Sequence, residues 1–330
     1  MLRFALGAAA TVVCAGVVWL VVLGCGMAQQ SAAKPKDGFA SDRGPAPLAF
    51  DADRAMGYLK DVCKIGPRIS GTDGMKQQQD LIKKHFEDLG ADVSFQHFTA
   101  RQRSEGRDVE MANLIVRWNP DRPRRVLLCS HYDTRPIADQ EPSRQRWHDP
   151  FISANDGASG VALLMEMGNH MKDIDPSVGV DFAFFDGEEY VFDQSDEYFF
   201  GSKEFAKQYT KSKDKNKTQY VGAVLLDMIG GKNARFPIEK NSFWKAPDLV
   251  RELWKSADDM GCTAFRSSEF SKFAVEDDHL PLNKAGIPAV DIIDFDYPHW
   301  HRLTDTPENC AGDSLDQVAR VLGVWVQRAK

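Results

Sequence analysis

Residues 180–189 constrain the fold of this chain more than any other segment. Residues 180–185 (VDFAFF) form an apolar run with one Asp inside it, as expected for a buried strand. Asp186-Gly187 then interrupts the strand, and Glu188 and Glu189 follow directly. An isolated Glu pair is more often a solvated turn. However, open α/β sheets place their chemistry at the carboxyl ends of strands, so the pair also suits a functional site.

Three further apolar runs are followed by residues that suit a metal site. Residues 125–130 precede His131 and Asp133, residues 220–226 precede Asp227, and residues 288–293 precede His301. Converging strand ends would bring these side chains and the Glu pair into one crevice. Carboxylates and imidazoles without thiolates are a ligand set for catalytic zinc, which keeps an open position to polarise a carbonyl or activate water.

Helical and strand patterns alternate along the remaining chain. Helices are predicted at residues 51–65, 75–89, 161–171, 201–209, 246–260 and 313–328, and further strands at 93–98 and 111–118. This alternation predicts one three-layer α/β/α domain, residues 51–330, with a mixed, mostly parallel sheet flanked by helices on both faces. Residues 190–200 are predicted to form a mobile aromatic lid outside the core, and residues 211–217 a solvated charged loop.

The first residues predict export. Arg3 precedes an uncharged apolar run, residues 4–23, which is long enough to span a bilayer. Residues 1–28 therefore suit a cleaved signal peptide, a lipidated leader ending at Cys25, or a retained membrane anchor. All three place the folded domain outside the cytoplasm, in the periplasm, secreted or anchored to the membrane. Residues 29–50 have the composition of a flexible linker. The net charge of −7 without a basic stripe argues against nucleic acid as a partner.

The cysteines do not predict a thiolate metal site, because the sequence contains no Cys-x-x-Cys. Cys63, Cys129, Cys262 and Cys310 lie in the predicted domain, and an exported chain could pair them. Their wide spacing indicates no particular connectivity.

Six short motifs carry a resemblance to a known family. They are His131-Tyr132-Asp133-Thr134, Asn155-Asp156-Gly157, Phe185-Asp186-Gly187-Glu188-Glu189, Leu225-Leu226-Asp227-Met228-Ile229-Gly230, Glu276-Asp277-Asp278-His279 and Trp300-His301. From about Asp53 to Trp325 the chain resembles the zinc-dependent aminopeptidases of metallopeptidase family 28, which includes bacterial leucyl aminopeptidases and animal-type glutaminyl cyclases. The resemblance implies an enzyme with the zinc-exopeptidase architecture.

The resemblance also implies a metal site and a proton-transfer group. Asp156, Glu189 and His301 would bind Zn²⁺, and Glu188 would be the general acid/base. His131 would bind a second zinc in an aminopeptidase.

Four other positions gain roles from the same resemblance. Asp227 would also bind the second zinc in an aminopeptidase, whereas in a cyclase it would join Asp277 in a catalytic acid network without a second metal. Asp133 would orient His131, and Trp300 would form a wall of the substrate pocket.

Two reactions fit these roles. The favoured one is cyclisation of the amino-terminal Gln of peptides or proteins to pyroglutamate, with release of ammonia and one zinc per chain. The Glu276–His279, Leu225–Gly230 and Trp300-His301 motifs resemble the cyclase branch. Two positions depart from it, because Gln194 stands where the cyclases have a lid Trp and Asp291 where they have a His in the last strand.

The alternative reaction is hydrolysis of an amino-terminal peptide bond by a zinc aminopeptidase, with Asp156 bridging two zinc ions. Asn155–Gly160 and Thr304-Asp305-Thr306 resemble this branch. A non-catalytic binding protein is disfavoured because every candidate catalytic position is intact. The protein is expected to be a monomer.

Simpler structural roles are the alternatives for single residues. His131 could be packed at a strand end, Trp300 could belong to the core, and Asp277 could cap a helix before Leu280. His279 is expected to be structural. Surface positions are expected for three other histidines, which are His148, His170 and His299.

Overall fold

The computed structural model describes residues 45–216 and 218–330. The predicted leader and residues 29–44 of the predicted linker lie outside the described residues. Leu48, near the end of that linker, is buried and packs on Gly323. Within the described ranges, no helix combines the length and apolar character that crossing a membrane requires.

A mixed six-stranded sheet forms the centre of the molecule. Its strands are β1 (Asp92–Arg101), β2 (Asp108–Trp118), β3 (Arg124–His131), β4 (Gly179–Phe185), β5 (Gln219–Asp227) and β8 (Ala289–Ile293), and β6 (Phe236–Ile238) pairs with β7 (Phe265–Phe270) in a separate two-stranded sheet. The six strands lie in the order β1-β2-β4-β3-β5-β8. β4, β3, β5 and β8 are parallel to one another, whereas β2 is antiparallel to both of its neighbours, β1 and β4. The carboxyl ends of the four parallel strands therefore share one edge.

Helices cover both faces of this sheet. They are α1 (Ala52–Lys64), α2 (Asp73–Asp88), α3 (Ser159–Gly168), α4 (Phe200–Asn216), α5 (Lys240–Lys245), α6 (Pro247–Asp259), α7 (His279–Lys284) and α8 (Gly312–Arg328). Alternate residues of a strand face opposite sides. Val126 and Leu128 accordingly join the core shared with α1, α2, α3, α6 and α8, whereas Leu127 and Cys129 join the core shared with α4 and α7. The predicted three-layer α/β/α fold is confirmed.

Several local predictions are wrong. Residues 211–216 are not a loop but continue α4, since Lys, Ser and Asp can extend a helix whose apolar face is already packed. Tyr190 and Val191 are buried, so the start of the predicted lid belongs to the core. His170 is also buried rather than on the surface. Its Nε2 is hydrogen-bonded to Glu166 Oε1 at 3.0 Å.

The other predicted surface histidines and the cysteines are placed as follows. His148 is exposed and His299 is half-buried. His279 is fully buried and its Nε2 lies 3.4 Å from Glu239 Oε2. All four cysteines of the described domain are free and buried.

Candidate metal centre

The shared edge of the parallel strands opens into a cavity of about 620 Å³. β4 leads into Glu188 and Glu189, β5 ends at Asp227, and the segment after β8 supplies Trp300 and His301. All five line the cavity, together with Asp156 and Asp277. His131 and Asp133 are buried next to these residues. The structure therefore brings every residue of the sequence-predicted site together.

One group in the cavity fits a zinc ion. Ligand atoms of Asp156, Glu189 and His301 all lie within 4.8 Å of one another. His301 Nε2 is 3.0 Å from Glu189 Oε2 and 3.6 Å from Asp156 Oδ2. Asp156 Oδ2 is buried and has no hydrogen-bond partner within the described residues. Two carboxylates and an imidazole that converge on one point, with an orphaned oxygen among them, suit a three-ligand zinc site.

The second nitrogen of His301 is held from behind. His301 Nδ1 donates to Asp139 Oδ1 at 2.8 Å, and Arg135 Nη2 donates to Asp139 Oδ2 at 3.0 Å. Because Asp139 holds a proton on Nδ1, Nε2 is the nitrogen left for a metal, and it faces Glu189 and Asp156. Burial lowers the pKa of His301, but the hydrogen bonds with Asp139 and Glu189 outweigh it and raise the pKa to about 9.

Neither Asp139 nor Arg135 was identified from the sequence. Both lie in the polar segment after β3, where charged residues are ordinary. Arg135 directly follows the His131–Thr134 motif, and that position is the only signal that could have found it. His301 itself adopts a left-handed backbone conformation with φ of 52°, which is uncommon for a non-glycine residue.

Asp133 fixes the loop that carries the Glu pair. Its two oxygens accept hydrogen bonds from the backbone N–H groups of Glu188 at 3.0 Å and Glu189 at 3.1 Å. The distance from Asp133 Oδ1 to His131 Nδ1 is 3.7 Å, beyond hydrogen-bond range. In this structure the Asp133 carboxylate therefore orients the backbone of the Glu pair through hydrogen bonds. Its interaction with His131 is electrostatic, without a hydrogen bond.

Asp305 fixes the loop that carries Asp156 in the same way. It accepts the backbone N–H groups of Asn155 at 2.9 Å and Asp156 at 3.1 Å, and the Tyr297 hydroxyl at 2.9 Å. Gly157 completes this loop with φ of 65°, and a Cβ there would lie 2.6 Å from Asp133 O. In the sequence Asp305 stands out only as part of the Thr304–Thr306 motif, because the Asn155 loop that it holds lies about half the chain away.

His131, Asp156 and Asp227 form a second group that could hold a metal. His131 Nε2 lies 3.1 Å from Asp156 Oδ1 and 3.3 Å from Asp227 Oδ1. The backbone N–H of Gly157 also points at His131 Nε2, at 3.0 Å. When His131 carries no proton on Nε2, that N–H competes for the lone pair that a metal would need. Although His131 is packed at a strand end, four of its neighbours are carboxylates, those of Asp133, Asp156, Glu188 and Asp227.

Buried acids surround Glu188. Burial raises the pKa of Glu188 well above its usual value, and Asp277 and Glu189 add to the effect against the opposing charge of His131. Burial also raises the pKa of Asp277, as do Asp227 and Asp278. Groups with raised pKa values can hold and release protons near neutral pH.

Asp277 does not cap α7 with its side chain. Its backbone carbonyl accepts the Leu280 N–H at 2.9 Å, whereas its carboxylate accepts the Asp278 N–H at 2.6 Å. The Asp277 side chain lines the cavity instead.

Aromatic rings form the mouth of the cavity. Trp300 is half-buried, and its ring centroid is 4.1 Å from that of His301 and 5.1 Å from that of Phe295. Trp300 is therefore a cavity wall rather than a core residue. Tyr198, Phe199 and Gln194, from the segment that follows the Glu pair, also line the cavity.

The chain is similar to known enzymes over most of its length. Residues 113–326 match the sequence profile of peptidase family M28. A glutaminyl cyclase from Fimbriiglobus ruber superposes with a TM-score of 0.84 and 50% identity, over 86% of this chain and 97% of that chain. A leucine aminopeptidase precursor from Bacteroides thetaiotaomicron gives 0.80 and 30%, over 87% and 100%. The glutaminyl-peptide cyclotransferase of Boiga irregularis is 25% identical, over 78% of this chain and 76% of its own.

Proposed function

The chain belongs to peptidase family M28, and we propose that within this family it is a zinc-dependent glutaminyl-peptide cyclotransferase. It would convert the amino-terminal Gln of peptides or proteins to pyroglutamate and release ammonia. The observation that carries this proposal is the 50% identity with a bacterial glutaminyl cyclase across nearly the whole folded domain. The cavity supports it, because a three-ligand zinc site and a buried acid with a raised pKa face the same space.

Zn²⁺ bound by Asp156, Glu189 and His301 would supply a Lewis acid that polarises the γ-carboxamide carbonyl of the substrate Gln. Glu188 accepts a proton from the substrate's α-amine as the amine attacks the carboxamide carbon, Cδ, of the Gln side chain. It then delivers that proton to the departing ammonia. One carbon–nitrogen bond forms and one breaks, and water is not a reactant.

The acid cluster around Glu188 gives it the basicity that this step needs. Burial and the nearby Asp277 both favour the protonated form of Glu188. A carboxylate with a raised pKa takes a proton from an ammonium or amine more readily than an ordinary glutamate does. We therefore assign Asp277 and Asp227 the role of maintaining this proton affinity.

We infer one zinc per chain. The Gly157 N–H at 3.0 Å from His131 Nε2 supports this count, since it engages the nitrogen that a second metal would use. The alternative is a two-zinc aminopeptidase, with Asp156 bridging the ions. It is favoured by the closeness of His131, Asp156 and Asp227 and by the 30% identity with the leucine aminopeptidase precursor.

Metal quantitation combined with two activity assays distinguishes these reactions. The purified protein is expected to hold about one zinc per chain, to release ammonia from Gln-peptides and to release no free amino acid from Leu-peptides. Two zinc ions per chain together with hydrolysis of Leu-peptides would contradict the cyclase proposal and support the alternative.

We also propose that the domain is exported as a monomer. The apolar run at residues 4–23 supports export and, if it is not cleaved, attachment to the membrane. Amino-terminal sequencing of protein from the membrane and soluble fractions tests this. Recovery of an uncleaved chain in the cytoplasm would refute it, and a sedimentation mass near twice 36.9 kDa would refute the monomer.

A further inference from the structure

A second cavity adjoins the candidate active site. Its volume is about 320 Å³, and Val275, Ile293 and Phe295 line both it and the larger cavity. Phe295 also lies beside Trp300, with 5.1 Å between their ring centroids. The two cavities are therefore two parts of one cleft that share a wall at Phe295.

Three exposed aromatic side chains stand among the charged and polar residues that line the second cavity. Phe270 is 51% exposed, Phe273 is 68% exposed and Phe295 is 37% exposed. These three account for all but one of the exposed large hydrophobic side chains in the described part of the chain, and the remaining one, Trp244, lines neither cavity. An exposed apolar surface that is concentrated in a cleft is typical of a binding site.

Four of the five charged side chains that line the second cavity form two ion pairs, and the fifth, Asp294, is buried and accepts the backbone N–H of Arg235 at 3.2 Å. Arg235 Nη2 lies 2.7 Å from Glu269 Oε2, and Lys272 Nζ lies 2.7 Å from Asp296 Oδ1. Since these charges already have partners, they offer no single-sign surface for a charged ligand. The surface of this cavity that is left to contact a ligand is aromatic, and it suits an apolar or aromatic side chain.

The position of the cavity identifies which part of a substrate reaches it. His301, Trp300 and Phe295 follow one another along the cavity wall, so a peptide whose first residue lies at the candidate metal centre can leave past Trp300. An extended chain advances about 3.4 Å per residue, so the second residue lies near Phe295 and the third beyond it. We propose that the second cavity binds an apolar or aromatic side chain at the third residue of the peptide substrate, and that Phe270, Phe273 and Phe295 determine this preference. The inference rests on the proposed function only in requiring a peptide that enters by its amino terminus.

The test compares kcat/KM for three substrates, Gln-Ala amide, Gln-Ala-Phe-Ala amide and Gln-Ala-Asp-Ala amide. The wild-type enzyme is expected to favour the Phe peptide over the other two by about tenfold, as partial burial of a Phe side chain implies. Phe273→Ser and Phe270→Ser should each reduce this preference to about threefold or less and leave kcat/KM for the dipeptide unchanged. Trp244→Ser is the matched control, an exposed aromatic outside the cleft, and should leave all three values unchanged.

Failure of the inference differs from failure of the proposed function. Equal kcat/KM values for the three peptides in the wild type, or an undiminished preference in Phe273→Ser, would overturn the second cavity as a substrate site. Absence of ammonia release from every Gln-peptide would instead refute cyclisation. In that case the same comparison with Leu-Ala, Leu-Ala-Phe-Ala and Leu-Ala-Asp-Ala amides, assayed by release of Leu, decides the inference.

Discussion

Replacing Asp139 by Asn tests whether the carboxylate behind His301 sets the strength of metal binding. Asp139 accepts one hydrogen bond from His301 Nδ1 at 2.8 Å and another from Arg135 Nη2 at 3.0 Å. An Asn side chain has the same size but no charge. It offers one acceptor oxygen for two donors, so its NH₂ group must face either His301 or Arg135. The imidazole then loses the negative partner that makes Nε2 a strong ligand.

The magnitude follows from the bond that is lost. A hydrogen bond to a charged group contributes about 1.5–3 kcal/mol, and a factor of ten in affinity corresponds to about 1.4 kcal/mol. The Asp139→Asn variant should therefore bind Zn²⁺ about 10- to 100-fold more weakly than the wild type. Loss of a partner that orients a metal-binding His has an effect of this size in general.

Competition with a chromophoric zinc chelator measures this change, and circular dichroism checks that the variant is folded. Asp193→Asn is the matched control. Asp193 lines the same cavity, but among the described residues its carboxylate is hydrogen-bonded only to Ser195. Its zinc affinity should stay within about twofold of the wild type, as for an ordinary surface substitution. A folded Asp139→Asn protein with zinc affinity within about threefold of the wild type would refute the reasoning.

Three further outcomes are expected. Glu188→Gln should lower kcat by at least about 100-fold with zinc content unchanged, and retained turnover would exclude Glu188 from proton transfer. Burial raises the pKa of Glu239, but hydrogen bonds from His279 and backbone N–H groups lower it to about 2. Its ionised form therefore contributes about 3 kcal/mol of stability above about pH 4.5, which is lost as the pH falls towards 2. About 2 kcal/mol of it is lost between pH 5 and pH 3, so urea unfolding should show a loss about that much larger in the wild type than in Glu239→Gln. Arg125→Met should lower the free energy of unfolding by about 3–5 kcal/mol, because it leaves the buried Asp181 without its positive partner. In the wild type Arg125 Nη2 lies 2.6 Å from Asp181 Oδ1. Arg125→Met/Asp181→Leu should recover most of that loss, and a double variant no more stable than the single one would contradict the explanation.

The strands that build the site could be predicted because they carry a strong local signal. β3, β4, β5 and β8 are apolar on both faces, as parallel strands between two helical layers must be. Each begins and ends within two residues of its prediction. Once four such strands are parallel, their carboxyl ends must share an edge, so the convergence of Glu188 and Asp227 follows without knowledge of the loops, whereas that of His301 depends on the segment after β8.

The residues that hold the ligands in place could not be predicted in this way. Asp139 contacts His301 across 162 positions of sequence, and Asp305 contacts Asn155 across 150 positions. A single Asp in a polar loop has the same local pattern whether it is solvated or clamps a distant backbone. Only the tertiary fold brings Asp305 to the Asn155 loop.

The elements that the sequence analysis missed share a physical reason. β6 has three residues, and α5 and α7 have six each, so none is long enough to display a period. β7 has mostly exposed residues and lacks the alternation of a half-buried strand. These short elements also carry Phe270 and frame the second cavity, so that cavity was not visible in the sequence.

Asp291 stands where the cyclases have a His in the last strand. The surroundings of Asp291 make this difference consistent with cyclisation. Asp291 is fully buried, and neither of its carboxylate oxygens has a hydrogen-bond partner in the described part of the chain. Burial raises the pKa of Asp291 well above its usual value, and Asp277 and Asp227 raise it further. Burial therefore favours the uncharged form of Asp291, a carboxylic acid with one donor hydrogen and a free acceptor. A neutral imidazole has the same charge and the same pair of functions. In its uncharged form Asp291 adds no negative charge next to Asp277, and in this respect it resembles the His that it replaces.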